Sequence, residues 1–226
     1  MGMAGSSNQC YVAQERAFMR QFYRLKSQGV KCDVDKTNRN NICMKNYWLL
    51  LTSFIFALPL RTHADQLDSR LDELFQQLLT AENPTQTVQL ETVIWQIWVA
   101  HDNPEFAALM QSGIDLMNNN ELSAALQNFN RLIDFAPDYA EAWNKRATIN
   151  FLLQDYPASE ADIARTLALE PFHFGALSGL GLVYMAQGKY RQAQNAFQAA
   201  LEVNPSMLGV KNNLQMLDDY LRSSSI

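Results

Sequence analysis

An all-α solenoid of stacked helix pairs is the fold that the 226-residue sequence predicts, and three observations predict it. Proline recurs at Pro137, Pro171 and Pro205, spaced 34 apart in both cases. A period of that length marks helix pairs repeated in a row. Large and small side chains fall at matching places of the three equal windows that begin at Phe106, Ala140 and Phe174. Outside the windows, Leu67, Leu71, Leu74, Phe75 and Leu78 on one side are spaced as one face of a helix, and on the other side a single helix is expected to carry Leu208, Leu214 and Leu217 inward.

In chain order, the segment 1–64 differs in kind from the rest. It holds nine Lys or Arg against three acidic residues, a net of +6, whereas residues 65–226 hold nine against twenty, a net of −11. Cys10, Cys32 and Cys43, all the cysteines of the chain, also lie there, so the remainder has no thiol chemistry and no disulfide to form. Residues 44–64, MKNYWLLLTSFIFALPLRTHA, combine a basic start at Lys45, an apolar run over 47–60 and a small residue, Ala64, before Asp65. That is the pattern of a secretory signal peptide cleaved after Ala64. The apolar run is shorter than the roughly 20 residues that a spanning helix needs. Met44 is therefore expected to be the true first residue, with residues 1–43 a non-native or disordered extension; the alternative is a chain anchored in the membrane by residues 47–60. The expected localisation is periplasmic or secreted, and the absence of an N-x-S/T acceptor with x other than Pro after residue 64 favours a bacterial setting.

Residues 65–104 form a degenerate helical pair in this reading. Its first helix ends at Asn83-Pro84, and its second runs from about Thr85 to Ala100, with Val88, Glu91, Trp95 and Trp98 near repeat places and Pro104 at its end. The windows 106–139, 140–173 and 174–207 follow. Leu109, Trp143 and Leu177 share the fourth place, Gly113, Ala147 and Gly181 the eighth, and Ala125, Ser159 and Ala193 the twentieth. Phe129, Ile163 and Phe197 share the twenty-fourth. Small residues at the eighth and twentieth places let helix axes approach to about 8–10 Å while the large ones fill the space alongside. Each proline stops a second helix, placing its end near Phe135, Leu169 or Val203. Residues 206–226 supply a capping helix and tail, with Asp218 and Asp219 outward.

The windows resemble tetratricopeptide repeats, the third most closely, through Leu177, Leu180, Gly181, Tyr184, Ala193, Phe197, Ala200 and Pro205. They depart from that family's pattern at Arg146, where Leu is usual, at Asn150, where Tyr is usual, and at Leu132 and Thr166, where Ala is common. The resemblance implies a concave groove lined by the first helix of each pair. Carried onto this chain, the lining comprises Ala107, Met110, Ile114, Met117 and Asn118, then Glu141, Asn144, Thr148, Phe151 and Leu152, then Gly175, Ser178, Leu182, Met185 and Ala186. The expected partner-binding residues are Met110, Ile114, Met117, Asn144, Lys145, Thr148, Phe151, Gly175, Ser178, Gly179, Leu182 and Met185. Such a methionine-rich apolar lining suits an amphipathic helix or an extended peptide. Capture of an acidic peptide terminus is not expected, because only Asn144 and Lys145 answer to the basic clamp that mode uses. Gly175 and Gly179 have two readings: a place where a partner's backbone comes close, or tight packing against the neighbouring unit's first helix. Met117 and Leu152 likewise belong either to the groove or to a contact with the N-terminal helices.

Other chemistries find little support. An acidic body whose densest basic spot is Lys145-Arg146 does not suit nucleic acid, which needs clustered cations. The stretch from Gly175 to Gly181 matches neither a nucleophile elbow nor a dinucleotide loop. His101 and His173 each lack a second histidine on the same helix for a zinc pair, and His173, between Phe172 and Phe174, is expected to be a packing or surface residue. Asp72-Glu73, Glu160 with Asp162, and Asp218-Asp219 are expected to be solvated helix faces. No enzyme activity, cofactor or metal is expected. The expected function is a protein-protein interaction scaffold or adaptor in the periplasm or cell envelope. The alternatives are an accessory subunit of an envelope enzyme and a membrane-anchored structural protein.

Overall fold

The computed structural model describes residues 68–223, so the expected extension, the signal segment and Leu67 lie outside the described residues. Among the described residues there are nine helices and no strand. They are α1 (Arg70–Thr80), α2 (Pro84–Val99), α3 (Pro104–Asn118), α4 (Leu122–Phe135), α5 (Ala140–Leu152), α6 (Tyr156–Leu169), α7 (Phe174–Ala186), α8 (Tyr190–Val203) and α9 (Leu208–Ser223). None of them is long and apolar enough to cross a membrane.

The boundaries follow local chemistry. Helices α4, α6 and α8 end at Phe135, Leu169 and Val203, just ahead of each periodic proline. Pro84 and Pro104 act in the opposite sense to the one expected. Each opens a helix, because a first-turn residue needs no amide hydrogen. The Asn83 side chain accepts from Thr85 N–H at 2.8 Å and the Asn103 side chain from Glu105 N–H at 2.9 Å, capping α2 and α3.

Helices α3–α4, α5–α6 and α7–α8 pack as hairpins, and each hairpin turns the same way. Asn120, Gln154 and Gly188, which share one place of the repeat, take φ of 62°, 66° and 72°. Beyond each, the amides of Glu121, Asp155 and Lys189 reach back to the carbonyls of Leu116, Asn150 and Tyr184 at 2.8 Å. This left-handed closure satisfies the carbonyls that a helix end leaves open. Inside the first and third hairpins an aromatic ring fills the notch left by a glycine. A Cβ on Gly113 would stand 2.5 Å from the Phe129 ring, and one on Gly181 would stand 2.3 Å from the Phe197 ring. Ala147 and Ile163 occupy these places in the second hairpin, both buried.

The core has two parts. One joins α3, α4 and α5 through Met110, Ile114, Phe129, Leu132 and Ile149. The other runs from α1–α2 through α5–α9 and includes Ile94, Trp98, Phe151, Phe174, Leu182, Phe197 and Leu217. The N-terminal pair therefore does not extend the stack as a further unit. Its main helix contacts pass over the first repeat, α2 lying against α5 and α1 against α8, while Val99 at the end of α2 packs on the first repeat's core. At the other end, α9 buries Val210, Asn213 and Leu217, but Leu208 is 69% exposed, contrary to its expected inward role. A residue opening a helix two positions before Val210 points about 200° away from it, off the buried face.

The glycines separate by what surrounds them. Gly181→Ala should lower stability by about 1–3 kcal/mol through the clash with Phe197. Gly179→Ala should raise it by about 0.5–1 kcal/mol, because a Cβ there meets only Ile163 Cδ1, at 3.7 Å, and removes a helical glycine. Gly188→Ala, in open space but at positive φ, should cost about 1–2 kcal/mol. Thermal denaturation of the three variants checks both sign and order.

Candidate functional site

The first helices of the three repeats, α3, α5 and α7, line one side of the stack, as the repeat geometry requires. Of the twelve residues expected to bind a partner, only Thr148 and Gly179 are not buried. Met110, Ile114 and Met117 are covered within the repeat core, alongside Ala142 and Ile149 of the next first helix. Phe151, Leu182 and Met185 belong instead to the core shared with α1 and α2. Thr148 turns its hydroxyl to the Asn144 carbonyl at 3.1 Å. Gly175 does receive a close neighbour: a Cβ there would stand 2.6 Å from the Trp95 ring of α2. Gly179 faces Ile163 of α6 at ordinary contact distance and makes no tight packing contact with the neighbouring first helix. Ser178 is fully buried.

The floor of this face is polar and closed. Glu141, with its side chain fully buried, pairs with Lys145 Nζ at 2.8 Å through one oxygen and lies 2.9 Å from His173 Nε2 through the other. The second oxygen also accepts from the Asn144 amide at 2.9 Å. His173, a buried residue as one of its two expected places allowed, has a structural task as well. Its Nδ1 accepts from Ala176 N–H at 3.1 Å and caps α7. An acceptor Nδ1 leaves the ring proton on Nε2, which donates to Glu141. Asn144 and Lys145, expected among the partner-binding residues, thus both serve an internal carboxylate.

Helix α2 covers that floor with aromatic rings. Trp98 stacks on the His173 imidazole at 3.9 Å with planes 11° apart, and Trp95 meets the same ring edge-on at 5.4 Å. Lys145 Nζ lies 5.2 Å from the Trp95 ring centroid, within the range of a cation–π contact. Phe174 completes the cage, 5.6 Å from Trp95 and perpendicular to it. Two polar contacts hold α2, one at its middle and one at its C-terminal end: Asn204 donates to Glu91 at 2.6 Å, and the Tyr139 hydroxyl donates to the Val99 carbonyl. Burial raises the Glu91 carboxyl above its ordinary value, against the Asn204 hydrogen bond, and burial raises Glu170 likewise, against the Phe172 amide. Burial also pushes Glu141 upward, but Lys145 and His173 together outweigh it and bring that carboxyl down to about 2.

Sequence reasoning placed Glu91, Trp95, Trp98 and Glu141 near repeat or groove places without joining them. Their common signal is spacing: Glu91, Trp95 and Trp98 stand at successive steps of four and three, one stripe of a helix. Asp162 also departs from its expected solvated role, being buried. It accepts from Arg146 at 2.9 and 2.7 Å and from Asn150 at 2.9 Å. Arg146 and Asn150, which depart from the repeat pattern in the second window, are therefore the donors to one buried carboxylate. Among the described residues no three metal-ligating side chains stand together.

Helix hairpins that recur in step with Pro137, Pro171 and Pro205 and pack each against the next define a helical-repeat solenoid. Family models of the tetratricopeptide repeat match residues 110–174 and 175–207. A TPR repeat-containing protein of Rhizobium etli is 33% identical over 152 residues, covering 67% of this chain and 74% of that protein. The chain belongs to the tetratricopeptide repeat family. Anaphase-promoting complex subunit 3 of Schizosaccharomyces pombe is 26% identical, and the match spans 69% of this chain but 26% of that protein. Among solved structures, the first TPR of Spaghetti (RPAP3), bound to an HSP90 peptide, superposes with a TM-score of 0.52 at 21% identity, over 54% of this chain and 96% of that one. The Sgt2 TPR domain of Aspergillus fumigatus gives 0.52 at 20% identity, over 54% and 83%. At these identities the likeness shows the fold.

Because the folded Glu141 carboxyl lies below the ordinary 4.5, its contribution to stability is present above about pH 4.5 and is lost as pH falls towards about 2. Glu141→Gln should lower stability at neutral pH and flatten its fall across that window. Denaturant titrations of both proteins at several pH values between about 2 and 7 measure the slope.

Proposed function

We propose that this chain is a protein-interaction adaptor that binds a peptide or helix of another protein in its concave repeat face, after export to the periplasm or cell envelope. One observation carries the reading: the face bearing Lys145, His173 and Gly175 already holds a helix, α2, against α5 and the start of α7. A surface with a polar floor, the rings of His173 and Phe174 and a glycine notch at Gly175 accepts helical polypeptide, and helix-in-groove docking is a general mode of recognition. The similar structure of the first TPR of Spaghetti, with its bound HSP90 peptide, supports the same use of the fold. Engagement of Asn144 and Lys145 by Glu141 directs the choice away from acidic termini and towards an apolar or aromatic segment. Export rests on the basic start, apolar run and Ala64 of residues 44–64.

A photo-crosslinking amino acid at Thr148, half-buried on α5, should trap a discrete partner in producing cells, while the same group at exposed Gln198 on α8 should not. Equal trapping from Gln198, or none from Thr148, removes the groove from the account. For the setting, mass spectrometry of the mature protein should find Asp65 as its first residue; a chain retaining residues 47–60 would instead be membrane-anchored.

A further inference from the structure

The groove floor is built at some cost for a permanent interior. Glu141, Lys145 and His173 are all buried, and an ion pair out of water rarely outperforms apolar packing of equal volume. Such a floor gains most as a recognition surface, where fixed polar groups decide which helix fits. Helix α2 is what fits now. Glu91 reaches the Asn204 amide, Trp95 enters the notch at Gly175 beneath Lys145, and Trp98 stacks on His173. The three are one stripe of a helix, at successive spacings of four and three.

The hairpin α1–α2 is also placed to leave as a unit. It stands at the end of the described chain, joined to α3 by residues 100–103, and its main contacts skip the adjoining repeat. Its outer side carries Leu79, Val88 and Val93, all exposed. The repeats behind it are locked by different contacts, the rings of Phe129 and Phe197 set into glycine notches, which do not involve α2.

We propose that α2 is an intramolecular stand-in for the partner: the groove selects an amphipathic helix bearing a carboxylate followed four and seven residues later by aromatic rings, and that helix binds by displacing the α1–α2 hairpin. This rests on the groove reading above and adds the partner's chemistry and the device that controls access. Glu91→Ala removes the contact with Asn204 and leaves every repeat residue in place, so it loosens α2 without altering the floor.

The test uses the full chain, hydrogen exchange, and a fluorescein-labelled peptide of residues 84–99. Amides of α1–α2 should exchange at least tenfold faster than those of α5–α8, and Glu91→Ala should bind the peptide at least tenfold more tightly than wild type. A peptide with Trp95→Ala and Trp98→Ala should not bind. Equal exchange rates in hairpin and repeats, or no peptide uptake by either protein, overturns the proposal. Dimerisation of Glu91→Ala without peptide uptake overturns it too, assigning the groove to a second copy's hairpin. Crosslinking from Thr148 separates the two levels: a trapped partner with no peptide uptake leaves the groove reading standing and sinks the exchange, whereas loss of both sinks both.

Discussion

The contact between a small residue on one helix and a large one on its mate is the constraint on which this molecule rests. Gly113 against Phe129 and Gly181 against Phe197 each leave no room for a single methyl group. That closeness fixes the distance within a hairpin, and its return at the same place of the repeat aligns the hairpins so that α3, α5 and α7 share a face. The left-handed residues Asn120, Gln154 and Gly188 hold the turns in one geometry. Groove, floor and closing helix all follow from a spacing set by missing side chains.

Polar chemistry is then added where the stack would otherwise be apolar. On the concave side it is Glu141 with Lys145 and His173; in the second hairpin it is Asp162 with Arg146 and Asn150. Each carboxylate is buried and each has at least two donors or cations, the condition under which a buried charge is tolerated. The two differ in reach. Asp162 joins residues of one repeat, with Asn130 of the preceding one added through Arg146. Glu141 joins the second repeat to the loop before the third, and its histidine partner carries the ring of Trp98. Position within the stack separates an internal brace from a surface that meets another helix.

Much of the repeat array was legible in the sequence. The helix ends at Phe135, Leu169 and Val203 follow from proline, and the role of Gly181 follows from the alternation of bulk, because both are local and periodic. The place of α1–α2 was not legible, since a period describes contact with the next unit and says nothing of a helix that skips one. The polar floor was hidden for the same reason: Glu141 and His173 are 32 residues apart, and their cover comes from Trp95 and Trp98 outside the windows. Pro84 and Pro104 misled because proline ends one helix and begins another with equal ease, and an asparagine before it does not decide the case: Asn83 and Asn103 cap helices that open there, whereas Asn204-Pro205 follows the end of α8. Leu208 was assigned inward by residue type, whereas the helical turn of α9 faces it to solvent.

A stack of hairpins ordinarily holds only neighbourly bonds, so it can grow or fray from either end like a zip. The hydrogen bond from Asn204 to Glu91 spans 113 positions and turns this row into a ring. Closing a loop of that length carries an entropy penalty that local pairing avoids, so the ring should shut last, after the repeats have assembled. It follows that damage near α8 would be felt first at the opposite end of the chain, where the hairpin has lost its latch.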